Sequence, residues 1–350
     1  MKVLASISYT KLKQIGVGQG MNSEVYLADD PQLGGRVAVK EIAKSRFGNP
    51  AAYFDEAQAM FQVAHDNVVA VQYACQTPTI ISLAMPYYRK GSLADRISDR
   101  PLQLSAMQRV AQEVLAGLAH IHLAGYIHFD VKPSNVLFSN TDKPMVSDFG
   151  QSRSISRTGA VTVPPLYFSA QPPETIKTGV ATILADIYQV GLLLYRAVNG
   201  DDLFNAQIPP DPALLSGRIS SGKFPDRRRF MPHVPQRIRT LIRKALRVDP
   251  AQRFQTATEM ADAFSRVYIL LDWSAEPLIN GGIRWKALRL GCADLIVELL
   301  NQSGTWDVQT FTEKSGEPRR ARGKIENWRS GLSRDDAFVH LEEVFERLLL

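Results

Sequence analysis

The stretch YIHFDVKPSNVLF, Tyr126 to Phe138, sets an aspartate, a lysine and an asparagine (Asp130, Lys132, Asn135) in a segment otherwise apolar enough to be buried. A buried charge without a partner is expensive, so such groups persist in a fold only where they are paired, hydrogen-bonded or used. Whatever this chain folds into must bring further polar groups to this segment, or place it on the wall of a cleft.

At 350 residues the chain exceeds one ordinary domain, so two lobes, or a domain with an appendage, are expected. An apolar content of 45% with 22% charged residues describes a soluble globular protein. The longest apolar run, VGLLLYRAV (190–198), is too short to span a bilayer. The N-terminus lacks the apolar core and small-residue cleavage pattern of a signal peptide. Cys75 and Cys292 lie far apart and offer neither a disulfide framework nor a metal spacing. A cytoplasmic, reducing setting with no membrane partner is the expectation. The net charge of +6 gathers in 218–247 and in EPRRARGK (317–324). Solvated helix faces explain such clusters more often than a nucleic-acid footprint does, so no nucleic acid is expected.

The first eighty residues read as strands broken by one helix. SEVYLADD, GRVAVKEIA and TIISLAM are β-branched or alternating, and PAAYFDEAQAMFQVA has helical spacing with an acidic first half. After KGSL (90–93) the pattern changes to long helices over 105–124, 183–199, 235–247 and 256–271, with short strands flanking Asp130 and Asp148. All four tryptophans (Trp273, Trp285, Trp306, Trp328) fall after residue 271, which marks 272–350 as a separate module. There we expect a helix near 286–301, a hairpin over 305–327 and a helix at 333–349. Pro277 and the pair Gly281-Gly282 read as a linker.

VGQGMNSEVY gives Gly18-x-Gly20-x-x-Ser23-x-Val25, a turn in which backbone N–H groups approach a phosphate without a Cβ in the way. Alone, the glycines are explained as well by a tight hairpin. Lys40 ends the strand VAVK, and a lysine on a buried strand needs an anion. Glu56, on the following helix, is placed to supply one.

Taken in order, these segments resemble the eukaryotic-type (Hanks-type) serine/threonine protein kinase family over about residues 10–271, and the style of the glycine-rich loop points to a bacterial member. GQGMNSEV resembles the glycine-rich loop, VAVK the strand lysine, Glu56 its helix partner and MPYYRKGSL the hinge. HFDVKPSN resembles the catalytic loop, DFG (148–150) the magnesium-binding turn and PPE (172–174) the end of the activation segment. Asp186 in DIYQVG resembles the helix aspartate beneath the catalytic loop, and Arg253 the partner of Glu174.

The resemblance implies a bilobal α+β fold, with a β-rich N-lobe at about 10–84, a hinge at 85–91 and a helical C-lobe at 92–271. Residues 1–9 would be an extension, and 272–350 a small α/β module of unassigned role. It implies ATP and Mg²⁺ (or Mn²⁺), and serine or threonine hydroxyls of protein substrates, the protein itself among them, as acceptors. Asp130 would accept the hydroxyl proton, and Lys132 would reach the γ-phosphate. Asn135 and Asp148 would hold the metal, and Lys40, held by Glu56, would touch the α/β-phosphates. Gly18, Gly20 and Ser23 would cover the phosphates. Val25, Ala38 and Leu137 would sandwich the purine, with Met85 as gatekeeper and Pro86 and Tyr88 reading it through backbone groups. The DVKPSN form resembles the serine/threonine branch. A pseudokinase scaffold and a kinase-fold enzyme for small molecules are the alternatives. The retention of Lys40, Asp130, Asn135 and Asp148 argues against the first, and the GSL, PPE and Arg253 features argue against the second.

Three positions depart from the family pattern. Phe129 stands where the catalytic loop usually has arginine, Ser23 where the loop has its third glycine, and Pro172 where the activation segment ends in alanine. The segment TVPPLYFSAQ is about two residues longer than the pattern leads one to expect, and Thr162 is the nearest candidate for the threonine that marks specificity. For 272–350 a regulatory, partner-binding role and a structural brace on the helical lobe both fit the tryptophans.

Overall fold

The computed structural model describes residues 6–16, 23–47, 49–155, 159–164, 168–289, 291–314, 317–320 and 328–348. A five-stranded antiparallel sheet comes first, from β1 (Thr10–Ile15), β2 (Glu24–Asp30), β3 (Gly35–Ala43), β4 (Tyr73–Gln76) and β5 (Ile80–Pro86), in the order β1-β2-β3-β5-β4. Alternation along β3 divides its side chains between two faces. Val37 and Val39 pack with Ala28 and Ala84 on one face, which leaves Ala38 and Lys40 for the other. The helix read over 50–64 is a 3-10 turn at Pro50–Phe54 followed by α1 (Asp55–Gln62). Asp55 and Glu56 in its first turn complement the helix dipole.

The larger lobe opens with α2 (Leu93–Ile97) and α3 (Leu104–Leu123). Short strands follow: β6 (Tyr126–Ile127), β7 (Val136–Phe138), β8 (Pro144–Val146), β9 (Arg153–Ser154) and β10 (Val161–Thr162). Next come α4 (Pro173–Thr178), β11 (Val180–Ala181), α5 (Leu184–Asn199), α6 (Asp201–Asn205), α7 (Pro212–Ser220), α8 (Gln236–Ala245) and α9 (Ala257–Ser265). Nearly every side chain of α5 is buried, as an apolar run around the whole helix requires. Sequence reading placed no helix at α6 or α7. The signal for α7 was present, because Asp211 caps it by accepting from Ala213 N at 2.9 Å, with Pro212 in the first turn. The helix read over 256–271 ends at Ser265.

The C-terminal module departs most from expectation. Among the described residues the helix expected at 286–301 is absent, and that stretch carries β13 (Ile283–Ala287) and β14 (Asp294–Gln302). Together with β12 (Trp273–Pro277), β15 (Thr305–Lys314), β16 (Glu317–Arg320) and β17 (Arg329–Leu332) they form a six-stranded antiparallel sheet, followed by α10 (Arg334–Leu348). Leucine and alanine gave the segment its helical look. Successive residues Ile296 and Val297 are both buried, one on each face of the sheet, and this erases the alternation that marks a strand. Nor is 272–282 a linker. Gly281 (φ 79°) turns the chain from β12 into β13, and a Cβ on Gly282 would meet Leu299 O in β14 at 2.2 Å.

This module shares its core with the helical lobe. Trp285 is fully buried, and its Nε1 donates to His233 Nδ1 at 3.0 Å. Phe345 of α10 lies edge-on to both Trp273 and Trp285, with centroids 5.0 and 5.4 Å away. Arg239 of α8 pairs with Glu342 at 2.6 Å, and Ser105 N donates to Asp272 at 3.0 Å. Among the described residues no helix is long and apolar enough to cross a membrane.

Candidate active site

Asp186, fully buried on α5, shapes the loop before Asp130. Its Oδ2 accepts from His128 N (2.9 Å) and sits 2.8 Å from His122 Nε2, while Oδ1 accepts from Phe129 N (2.8 Å). One turn on, Gln189 accepts from Val131 N at 3.0 Å and donates to Phe129 O at 2.7 Å. Four backbone groups of 128–131 are thus fixed from beneath. That clamp holds Phe129 at φ 66°, a left-handed conformation that a bulky residue adopts only when its surroundings impose it.

On this loop three of the expected residues meet. Lys132 Nζ and Asn135 Nδ2 each donate to Asp130 Oδ2 at 2.8 Å, and Asn135 Nδ2 also donates to Asp130 O at 2.9 Å. Asn135 O in turn accepts from Ser147 N (2.9 Å) and Ser147 Oγ (3.0 Å), which ties the loop to the residue before Asp148. His128 completes the tie: its Nε2 lies 3.1 Å from Ser147 O and its ring 5.0 Å from that of Phe149.

The other group spans both lobes. Lys40 Nζ donates to Glu56 Oε1 and to Asp148 Oδ1, each at 2.6 Å. Burial opposes the lysine charge, but the carboxylates of Asp148 and Glu56 more than offset it and hold Lys40 above its ordinary value. Burial also works against the Asp148 carboxylate, yet Lys40 outweighs it and holds that group at about 2. For Glu56 burial prevails over Lys40 and the shift is upward. A Cβ on Gly150 would sit tightly, 3.2 Å from Lys40 Nζ and 3.3 Å from Asp148 Oδ1, so the glycine lets these groups lie close without displacement.

A cavity of about 580 Å³ runs from these groups beneath α1, lined among others by Ser23, Lys40, Glu56, Asp130, Lys132 and Asp148. Val25, Ala38 and Leu137 are outside that lining. Each is half-buried, unlike the buried Leu27, Val37 and Phe138. Met85 and Pro86 face Ala38 and Val37 across the β3–β5 ladder, and Tyr88 follows, half-buried. Gly18 and Gly20 lie outside the described residues.

Two further features frame the site. Arg253 grips Glu174 with both ends of its guanidinium, at 2.8 and 2.6 Å. Phe129 is fully buried with Ile127, Ala181 and Ala185, against Ile155, Val161, Val163 and Ile183. Thr162 lies in β10, opposite Val180, and among the described residues no bond joins it to Asp130. Sequence reasoning missed Gln189, His128 and Ser147. Only Gln189 left a signal, a lone amide in the middle of an apolar helix.

The family model described as Protein kinase domain matches residues 9–265. The chain is 30% identical over 262 residues to Serine/threonine-protein kinase PrkC of Bacillus subtilis, an alignment covering 72% of this chain and 39% of that protein. It is 29% identical over 259 residues to Probable serine/threonine-protein kinase PknB of Lactococcus lactis, covering 72% and 40%. With Serine/threonine-protein kinase PknL of Mycobacterium tuberculosis the identity is 30% over 260 residues, covering 71% and 63%. The chain therefore spans about two fifths of the length of the first two relatives.

Proposed function

Because the chain belongs to the protein kinase family, we propose that it is a bacterial enzyme transferring the γ-phosphoryl group of ATP to serine and threonine hydroxyls of proteins. The observation that carries this reading is the convergence of Lys40, Glu56 and Asp148, contributed by both lobes, beside the Asp130–Lys132–Asn135 cluster. Phosphoryl transfer asks a protein for positioning and charge neutralisation rather than covalent chemistry.

Asp130 accepts the proton of the attacking hydroxyl, or orients it. Lys132, bonded to Asp130 Oδ2, would reach the γ-phosphate. Lys40 steadies the α/β-phosphates, and Glu56 keeps its ammonium in place. One carboxylate and one amide oxygen, from Asp148 and Asn135, are the hard oxygen donors that Mg²⁺ accepts while keeping several waters and phosphate oxygens. Asp148 and Asn135 would hold that ion, which when bound would offset phosphate charge. Val25, Ala38 and Leu137 enclose the purine, Met85 sits behind it, and the backbone at Pro86 and Tyr88 reads it. Pro86 lacks an N–H but retains the carbonyl needed there. Gly18, Gly20 and Ser23 cover the phosphates. The test is radiolabelled ATP with Mg²⁺, a generic protein substrate and phosphoamino-acid analysis. Label on serine and threonine is expected, on the chain itself as well. Label confined to tyrosine or to a small molecule would refute the reading.

Phe129 bears on control. An arginine beside the catalytic aspartate is a cation that a phosphorylated activation-segment residue satisfies. Here the position is apolar and already packed against Ile155, Val161 and Val163, so the segment has an anchor that needs no phosphate. Replacing Ser152, Ser154, Ser156, Thr158 and Thr162 by alanine should change transfer by less than about tenfold. Phe129→Ala, which empties the apolar nest, should destabilise by about 3–5 kcal/mol. A tenfold or larger fall in the alanine variant, with folding and ATP binding intact, would mean that another cation, Arg153 or Arg157, has taken over the role. As the module at 272–350 shares a core with the helical lobe, we read it as a brace, with any regulatory partner acting through that shared core.

A further inference from the structure

Between residues 218 and 247 the chain carries ten lysines and arginines and one acidic residue, Asp226. Asp226 is committed to Arg228, whose Nε lies 3.3 Å from its Oδ1. Arg239 and Lys244 take Glu342 and Glu259 from outside the segment. Of the remaining cations Arg218, Lys223, Arg229, Arg237 and Arg247 are exposed and Arg227 and Arg243 partly buried, and four of them lie around one turn. Gly222 ends α7 at φ 72°, and a Cβ there would meet Arg227 Nη2 at 3.1 Å and Val248 Cγ2 at 2.7 Å, so the turn, the Arg227 side chain and the segment after α8 abut. Arg243 Nε donates to Arg227 O at 2.7 Å, which brings α8 to the same place. Burial acts against the charge of Arg227, Tyr188 acts for it, and the nearby charges of Arg247 and Arg253 add to the opposition. Among the described residues Arg253 is ion-paired with Glu174, and Arg243 feels Glu342 from farther off. Nε and Nη2 of Arg227 are buried beside the hydroxyl of Tyr188, a neutral partner that leaves the guanidinium charge uncompensated. Positive charge thus outweighs the carboxylates that face it here, Glu174 and Glu342, an excess that an external anion at the exposed groups would offset.

Resting on the kinase reading above, we infer that the notch formed by Lys223, Arg227, Arg243 and Arg247 docks a glutamate- or aspartate-rich segment of the protein substrate. Its position favours a substrate: α7 packs against α4, which carries Glu174 at the end of the activation segment, and against the turn at Phe168–Ala170. Planar guanidinium groups match carboxylates in bidentate fashion. A nucleic-acid strand is disfavoured, because the aromatic rings of the notch, Tyr188, Phe224 and Phe230, are all buried and present no face for a base to stack on.

The test uses the full chain and two fluorescein-labelled probes, a peptide of six glutamates ending in an alanine-blocked acceptor site and a single-stranded oligothymidylate of matched charge. Anisotropy should show the peptide binding in a salt-sensitive manner. Arg227→Gln and the double variant Lys223→Gln/Arg247→Gln should each weaken it by about tenfold or more. Phosphorylation of a neutral serine peptide should be unchanged in both variants, whereas a serine peptide with the glutamate extension should lose its advantage. Equal peptide binding by wild type and the double variant, whose side chains are exposed, overturns the inference even if Arg227→Gln fails to fold. Tighter binding of the oligonucleotide, lost in the variants, would make the surface a nucleic-acid site instead. Peptide binding by a chain that phosphorylates nothing would sink the kinase reading and leave the docking site standing.

Discussion

Replacing Asp130 by asparagine should slow phosphoryl transfer by about 100- to 10,000-fold, the range associated with losing a positioned proton acceptor. The substitution keeps the shape of the side chain and an oxygen to receive Lys132 and Asn135, so loss of activity without loss of fold is the expected signature. Asp148→Ala should abolish transfer outright. It removes the carboxylate that meets Lys40 next to the Asn135–Ser147 tie, and among the described residues it leaves Lys40 with Glu56. Lys40→Met should cripple transfer by misplacing the phosphates. In the unaltered chain Lys40 holds Asp148 at about 2, and Asp148 with Glu56 holds Lys40 above its ordinary value, so neither group should set the pH dependence of transfer near neutrality. The measurement is transfer from radiolabelled ATP, with circular dichroism to confirm folding. Wild-type rates in both Asp130→Asn and Asp148→Ala would sink the assignment of these residues.

Trp285→Ala should destabilise the chain by about 3–5 kcal/mol through the cavity it leaves, with about 1–3 kcal/mol more for His233 Nδ1, buried and stripped of its donor. Net stabilities of about 5–15 kcal/mol make that a large share of the whole. The loss should reach the helical lobe as well as the module, since His233 and Phe345 belong to the same cluster and all three rings pack together. Residues 1–271 alone should for the same reason be insoluble or unfold without cooperativity. Trp285→Phe, which keeps much of the ring and drops the indole donor, should isolate the hydrogen-bond part of the effect. The same interface should be acid-sensitive. Burial, with Arg239 nearby, pushes the His233 imidazole down to about 3, whereas an unfolded chain protonates it below about 6.5. Stability from this group is full above 6.5 and drains away as the pH falls toward 3, by about 2 kcal/mol at pH 5. Thermal unfolding of wild type, Trp285→Ala and Trp285→Phe at pH 7 and 5 reads all of this. A soluble, cooperatively folding, ATP-binding 1–271 would show that the module is no brace.

Sequence alone determined the local chemistry of this protein. Asp130, Lys132 and Asn135 lie within six positions of one another, and a short loop brings them into contact however the rest of the chain runs. The alternation in β3 likewise put Lys40 on the opposite face from Val37 and Val39, and the all-round apolar character of 183–199 foretold a buried helix. What tertiary structure decided was everything that depends on distant partners. Lys40 and Asp148 meet across 108 positions. The Phe129 conformation is set by Asp186 and Gln189 on a helix whose sequence says nothing about turns. The segment 286–301 carries leucines and alanines that would suit a helix, but β12, β15 and the lobe beneath supply strand partners and bury both of its faces. Strand preference belongs to the surroundings of a residue more than to the residue itself. Periodicity therefore fails where the neighbours on either side come from far along the chain.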